Sequence, residues 1–193
     1  MLDRARIRQS LGSHTVRTLD KKARRSAAVL LPLFVKQGRD YLLLTRRTDH
    51  LDKHPGEISF PGGGRHLEDE NLLATALRET EEEVGIDPAD VEVLGRLDDI
   101  LSIHDVCVTP FVGAFPYPYP LAPCDFEIAE VLELPLDNFL DPAIFRCENW
   151  RFQGRTERVC FFTIGGHEVW GLTAAILVQF LQRLGLGHFR PPS

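Results

Sequence analysis

Residues 60–86 read FPGGGRHLEDENLLATALRETEEEVGI. A glycine-rich turn leads into a stretch of helical spacing in which Glu fills four of the five positions from 79 to 83. Like charges at i and i+4, such as Glu79 and Glu83, cost a helix a few tenths of a kcal/mol. Something must offset that repulsion. On a wheel turning about 100° per residue, Glu82 and Glu83 fall within about 60° of Glu79, so three carboxylates share one face. Leu73, Leu77, Thr80 and Val84 gather on a separate stripe suited to a core, and Glu81 points elsewhere. The helix is expected from about Asn71 to Val84, stopped by Gly85 and then Pro88.

A bare run of glutamates on a helix is ordinarily a solvated face. Three carboxylates beside an apolar stripe also suit a hard divalent cation, Mg2+ or Mn2+, which takes a few carboxylates and completes its shell with phosphate oxygens. Arg78, with Glu70 in the preceding loop, is a candidate ion pair fixing the glycine turn against the helix.

The 193-residue chain is 44% hydrophobic, enough for one sizeable core, and no Ser/Gly linker or repeat divides it. A single domain over 1–193 is expected, with 1–25 a helical and basic lead-in and 186–193 a disordered tail. The net charge of −6 argues against a general nucleic-acid binder. The four cysteines, Cys107, Cys124, Cys147 and Cys160, form no CxxC pair, so reduced thiols are expected rather than a zinc site or a disulfide framework. The first residues carry no apolar signal-peptide core, and no apolar run reaches the ~20 residues that span a bilayer. A cytoplasmic protein with no membrane partner is the expectation; nothing in the sequence bears on its oligomeric state.

Along the chain, AAVLLPLFVKQ and YLLLTRR read as strands around a tight turn at GRD, and 48–67 reads as an ordered loop. VEVLGRL, VCVTPFVGAF, EIAEVLELPL and VCFFTI are strand-like, and PYPYPLAP is a loop able to serve as lid or wall. VWGLTAAILVQFLQRLG is the clearest helix. This order implies an α/β fold with a mixed sheet between helical layers.

From Gly64 the chain shows five residues, Glu70, seven residues, then Arg78-Glu79-Thr80-Glu81-Glu82-Glu83-Val84-Gly85-Ile86. This pattern resembles the Nudix box, the loop–helix–loop signature of hydrolases acting on nucleoside diphosphates linked to another moiety. Only Thr80 departs, standing where the family has an aliphatic residue; the wheel puts it in the buried stripe, away from the carboxylates. The resemblance implies a Nudix-type α/β/α sandwich with a mixed twisted sheet. It also implies metal ligation by Glu79 and Glu83, with Glu82 assisting and a carbonyl near Gly63 or Gly64 joining, while Glu70 and Gly85 support the box. Metals there would screen phosphate charge and acidify bound water.

Upstream, LLLTRRTDHLDKHPGEISFPGG resembles the additional motif of the coenzyme A pyrophosphatase branch: Leu43, Leu44, Thr45 and Arg47, then Leu51, His54, Gly56, and Phe60 to Gly63. Thr48 replaces the branch's small Ser. VTPFVG and VWGLTAAIL (Trp170, Gly171, Thr173) also look like that branch. The implied substrate is coenzyme A or a derivative, cleaved to 3′,5′-ADP and 4′-phosphopantetheine. Arg46 and Arg47 end a strand whose faces alternate, so one of them is expected in the site; Arg47 is the choice, and Arg46 is substrate-binding or plain surface. His54 is assigned to phosphate or to bracing its loop through a carbonyl, and Phe60 to the substrate wall or the core. Glu127 is the candidate base outside the box, ahead of Asp125, Glu130 and His104; Arg78 and Glu82 complete the catalytic set.

Two rivals share these residues. A pyrophosphatase for ADP-ribose, NADH or another nucleoside diphosphate derivative keeps the metal chemistry and differs in the 43–63 segment. A non-catalytic nucleotide-sensing module is disfavoured because no box glutamate is missing, and an RNA-decapping role because no basic stripe is present.

Overall fold

Gln37 and Gly38 turn the first long strand back on itself. Both take positive φ (52° and 73°), the geometry of a two-residue hairpin whose twist matches its strands. The computed structural model describes residues 3–19, 25–152, 154–187 and 189. The hairpin joins β1 (Arg25–Lys36) to β2 (Arg39–Arg47), with Lys36 opposite Arg39 and Leu33 opposite Leu42. The basic cluster of the lead-in falls at residues 20–26, of which 20–24 lie outside the described residues.

β1 divides its partners. Its C-terminal half pairs with β2, while Ala27 to Val29 pair antiparallel with β4 (Gly62–Gly64), and between them the Leu30 N–H donates to the Pro61 carbonyl. The segment expected as an ordered loop over 48–67 contains two short strands, β3 (Ile58–Ser59) on β2 and β4 on β1. Glycine is required at this approach: a Cβ on Gly62 would stand 2.4 Å from the Ala28 carbonyl oxygen.

The sheet continues through β5 (Glu92–Arg96), β6 (Ile100–Leu101), β7 (Val106–Ala114) and β8 (Ile128–Pro135). Its order is β3-β2-β1-β7-β5, with β6 beside β7 and β8 beside β2. Only the β1–β7 pairing is parallel, so the sheet is mixed. Strand alternation sends Ala28 and Leu30 to one face, where they meet Ala76 and Leu77 of α2 (Leu72–Val84). Leu31 and Leu33 go to the other, in one cluster with Ile7 and Leu11 of α1 (Arg4–Gly12) and Ile176, Leu177 and Phe180 of α3 (Gly171–Arg183). The expected α/β/α layering is therefore present. No helix among the described residues is long and apolar enough to cross a membrane.

Three expectations need correction. A second antiparallel sheet, β9 (Phe145–Phe152), β10 (Arg155–Ile164) and β11 (His167–Trp170), takes in residues 145–152, for which no strand was expected, and 169–170, expected in the last helix. Cys147 and Cys160 lie directly opposite across β9 and β10 and form a disulfide, so only Cys107 and Cys124 are free thiols; a separation of 13 residues hides that register. The tail assigned to disorder is packed where it is described: Leu186 joins the core and the Phe189 ring stands 4.8 Å from that of Phe145, while 188 and 190–193 lie outside the described residues.

Candidate active site

The expected helix is capped as its sequence suggests. The Asn71 side chain accepts the Ala74 N–H at 3.0 Å, and Gly85 takes φ 76° and donates to the Glu81 carbonyl. Thr80 is fully buried, and its hydroxyl donates to the Ala76 carbonyl at 2.7 Å. A polar residue is therefore tolerated in the core stripe because the helix itself satisfies it.

Glu79 is half-buried, Glu83 is buried, and Glu82 is exposed. Burial, foremost, pushes the Glu83 carboxyl up to about 8, against the pull of the Gly62 N–H, which donates to it at 3.2 Å, and of the Arg47 charge. Burial also raises Glu79, opposed by its pair with Arg78. Gly63 gives Glu79 its room: a Cβ there would stand 2.5 Å from Oε2.

Arg78 ties the loop to the helix. Its Nη2 reaches the Gly64 carbonyl at 3.2 Å and Glu79 at 2.9 Å, and its Nη1 donates to Glu82 at 2.9 Å. The acidic partner in the loop is Asp69, where Glu70 was expected. Arg78 Nε donates to Asp69 Oδ1 at 2.9 Å and Nη2 to Oδ2 at 3.1 Å, while Glu70 is exposed and offers Arg65 only its carbonyl. Asp69 also accepts from the His66 N–H and the Thr75 hydroxyl, and the Arg78 hydrogen bonds, foremost, hold its carboxyl far below the ordinary range. The HLEDE stretch offers three acids in a row, so motif spacing selected Glu70 by one residue too many.

Across the cleft, strand alternation separates the two arginines. Arg47 stands 3.6 Å from Glu83 and 3.8 Å from Glu127, and its Nε is buried with no hydrogen-bond partner among the described residues. Arg46, expected as a substrate ligand or surface residue, turns away to Glu130 (3.5 Å) and Asp49 (3.6 Å). Of the acids considered for the base, Glu130 is thereby engaged elsewhere, Asp125 is exposed, and Glu127 alone meets Arg47. Its position is set by backbone: the Thr48 N–H donates to the Glu127 carbonyl at 2.9 Å. The proline-rich stretch before it is a wall tied to the helix end, through Ala122 N–H to Val84 O and Cys124 N–H to Glu83 O, both 3.0 Å.

Phe60 is corrected to the core: it is 2% exposed and cannot line a substrate wall. His54 braces its loop, but through the Glu57 carboxylate at 2.8 Å rather than a carbonyl. His104 meets the rings of His54 at 6.2 Å and Phe152 at 6.5 Å.

Among the described residues no three His, Cys, Asp or Glu side chains converge to enclose a metal ion. Mg2+ rarely asks for such a cage, since one or two carboxylates plus substrate phosphates suffice. Glu79 and Glu83, both buried enough to resist ionising alone, with the Gly64 carbonyl and a glycine cradle beside them, fit that hard-oxygen demand.

A glycine strand is braced against a carboxylate-bearing helix, on a mixed sheet covered by helices on both faces: the loop–helix–loop arrangement that the box pattern implies. The chain belongs to the Nudix family: the NUDIX domain description matches residues 23–145. It is 41% identical over 160 residues to the uncharacterized Nudix hydrolase NudL of Photorhabdus laumondii, covering 83% of this chain and 85% of that one. A Yersinia pestis protein of the same description is 40% identical over 162 residues, 84% of this chain and 81% of the other. The crystal structure of a MutT/nudix family protein from Enterococcus faecalis shares the fold, with TM-score 0.52 at 16% identity over 95% of this chain and 75% of that one. Nudix hydrolases act on nucleoside diphosphate derivatives and generally need divalent metal ions.

Proposed function

We propose that the protein hydrolyses the diphosphate of coenzyme A and its derivatives, giving 3′,5′-ADP and 4′-phosphopantetheine or its derivative. The observation that carries this reading is the placement of Arg47. The arginine of the upstream motif faces Glu83 and Glu127 with an unpartnered Nε, while its neighbour Arg46 is paired on the opposite side. Its ion pairs at 3.6 and 3.8 Å are longer than hydrogen bonds, so its two terminal nitrogens can turn to phosphate oxygens.

Glu79 and Glu83, with Glu82 and the Gly64 carbonyl, are the donors for Mg2+ or Mn2+, which when bound would screen the diphosphate and polarise the attacked phosphorus. Arg78 positions this set by holding Glu79, Glu82, Asp69 and the Gly64 carbonyl together. Glu127, 43% exposed at its side chain, is open to solvent and orients the attacking water as general base. One P–O bond of the bridge breaks; one phosphate keeps the water oxygen, the other leaves with the bridging oxygen, and the water proton taken by Glu127 passes to solvent.

Mass spectrometry after incubation with Mg2+ and coenzyme A, ADP-ribose, NADH or a dinucleoside polyphosphate tests the reading. Preferential formation of 3′,5′-ADP and 4′-phosphopantetheine is expected. Equal or faster cleavage of ADP-ribose would move the assignment to the wider nucleoside diphosphate class.

A further inference from the structure

Three structurally separate segments bring aromatic rings to one edge of the molecule. His54 lies in the loop between β2 and β3, His104 in the β6–β7 turn, and Phe152 at the end of β9. Their ring centroids are 6.2 Å apart (His54–His104) and 6.5 Å apart (His104–Phe152), the loose end of the range for interacting rings. One loop ties this edge to Arg47. The Arg47 N–H donates to the Glu57 carbonyl at 3.0 Å, and the Glu57 carboxylate holds the His54 ring at 2.8 Å.

Phe152 differs from the other aromatics of its sheet. Trp150, two residues earlier, packs on both Phe161 and Trp170, each at 5.7 Å. Among the described residues the only ring near Phe152 is His104, set edge-to-face at 90°, and Phe152 is 37% exposed. That exposure leaves part of the phenylalanine open to solvent. An exposed phenylalanine alone is unremarkable; one partly open to solvent beside two imidazoles able to donate or accept in their planes has the chemistry that recognises a flat heteroaromatic base.

We infer that Phe152, His104 and His54 form the seat for the purine ring of the nucleotide half of the substrate, the base stacking on the exposed Phe152 ring while the histidines meet its edge. A flexible amide-and-thiol arm has no aromatic ring to match this seat. The inference rests on the proposed function only in placing the diphosphate at Arg47, and it makes Phe152 a specificity residue.

Calorimetric titration with AMP and with ribose 5-phosphate, which lacks only the base, provides the test. The wild type binds AMP more tightly, and Phe152→Ala weakens AMP roughly tenfold, toward the ribose 5-phosphate value, consistent with the loss of one base stack. Phe152→Trp restores the affinity, and His104→Ala gives a smaller loss. With coenzyme A as substrate, Phe152→Ala raises KM by a similar factor and leaves kcat unchanged. Binding of AMP should also quench Trp150 fluorescence. Equal binding of the two ligands by the wild type, no AMP binding up to millimolar concentration, or unchanged AMP binding in Phe152→Ala would each overturn the inference. If coenzyme A is not cleaved but AMP discrimination is lost in Phe152→Ala, the seat stands and the substrate assignment falls; if coenzyme A is cleaved and KM is unmoved, the reverse holds.

Discussion

Arg47 stands 3.6 Å from Glu83, the most deeply buried carboxylate of the box helix. It is brought there by one step of strand alternation and a register shift between Arg46 and Arg47, where β2 passes from Glu130 to Ile128 of β8. Arg47→Ala should lower kcat/KM roughly ten- to a hundredfold, since a charge-assisted contact contributes about 1.5–3 kcal/mol. Arg47→Lys should recover part of this, because an ammonium lacks the planar fork. Steady-state kinetics should show a larger loss for coenzyme A than for ADP-ribose. An equal loss would assign Arg47 to the shared diphosphate alone.

Asp69 acts through Arg78. Asp69→Asn removes the charge that accepts from both Arg78 Nε and Nη2, and should cost ten- to a hundredfold in activity, the usual penalty for loosening a group that orients metal ligands. Glu70→Gln, one residue on and exposed, should leave activity within twofold of wild type on the same grounds. Reversal of this order in kcat would restore Glu70 as the partner.

Glu83→Gln keeps the oxygen that accepts from the Gly62 N–H and removes a buried ionisable carboxyl. Turnover should fall by several powers of ten, while the metal-free protein melts at the same temperature or higher, because the neutral amide replaces a carboxyl that must take up a proton to be buried. Glu81→Gln, on the exposed face, should change neither. A drop in Tm for Glu83→Gln would mark the residue as structural.

The difference between what could and could not be read from the chain follows from range. Glu79, Glu83 and Thr80 were legible because 3.6-residue periodicity is local, and the Arg46/Arg47 separation because strands alternate. The Asp69–Arg78 pair was missed by one residue because HLEDE presents adjacent acids and only the turn that brings the His66 N–H to Asp69 distinguishes them. β9 was missed because FRCENWRF is polar and exposed along most of its length, so it carries no buried-strand signal. The Cys147–Cys160 bond and the burial of Phe60 depend on tertiary pairing that no local pattern encodes.

Far from the carboxylate helix, Asp98 clasps the N-terminal segment to the sheet. It accepts from the Arg17 N–H at 2.8 Å and pairs with His14 and Arg183, each at 2.9 Å. Burial is the largest single influence and pushes its carboxyl up, but the Arg17 N–H, the His14 hydrogen bond and the Arg183 charge together carry it below the usual value. A carboxylate held lower in the folded chain than in the unfolded one stabilises the fold at pH values above its unfolded pKa, about 3.9, and that contribution is lost as pH falls through the folded value. Wild type should therefore exceed Asp98→Asn in urea stability at pH 7 by roughly 1–3 kcal/mol, the penalty for disrupting hydrogen bonds to a buried charge. The gap should narrow steadily in titrations taken from pH 5 towards pH 2. Urea is the suitable denaturant because guanidinium salt would screen the Arg183 pair. A gap that stays constant across this range would show that Asp98 contributes packing and neutral hydrogen bonds, and that its charge plays no part in holding the segment.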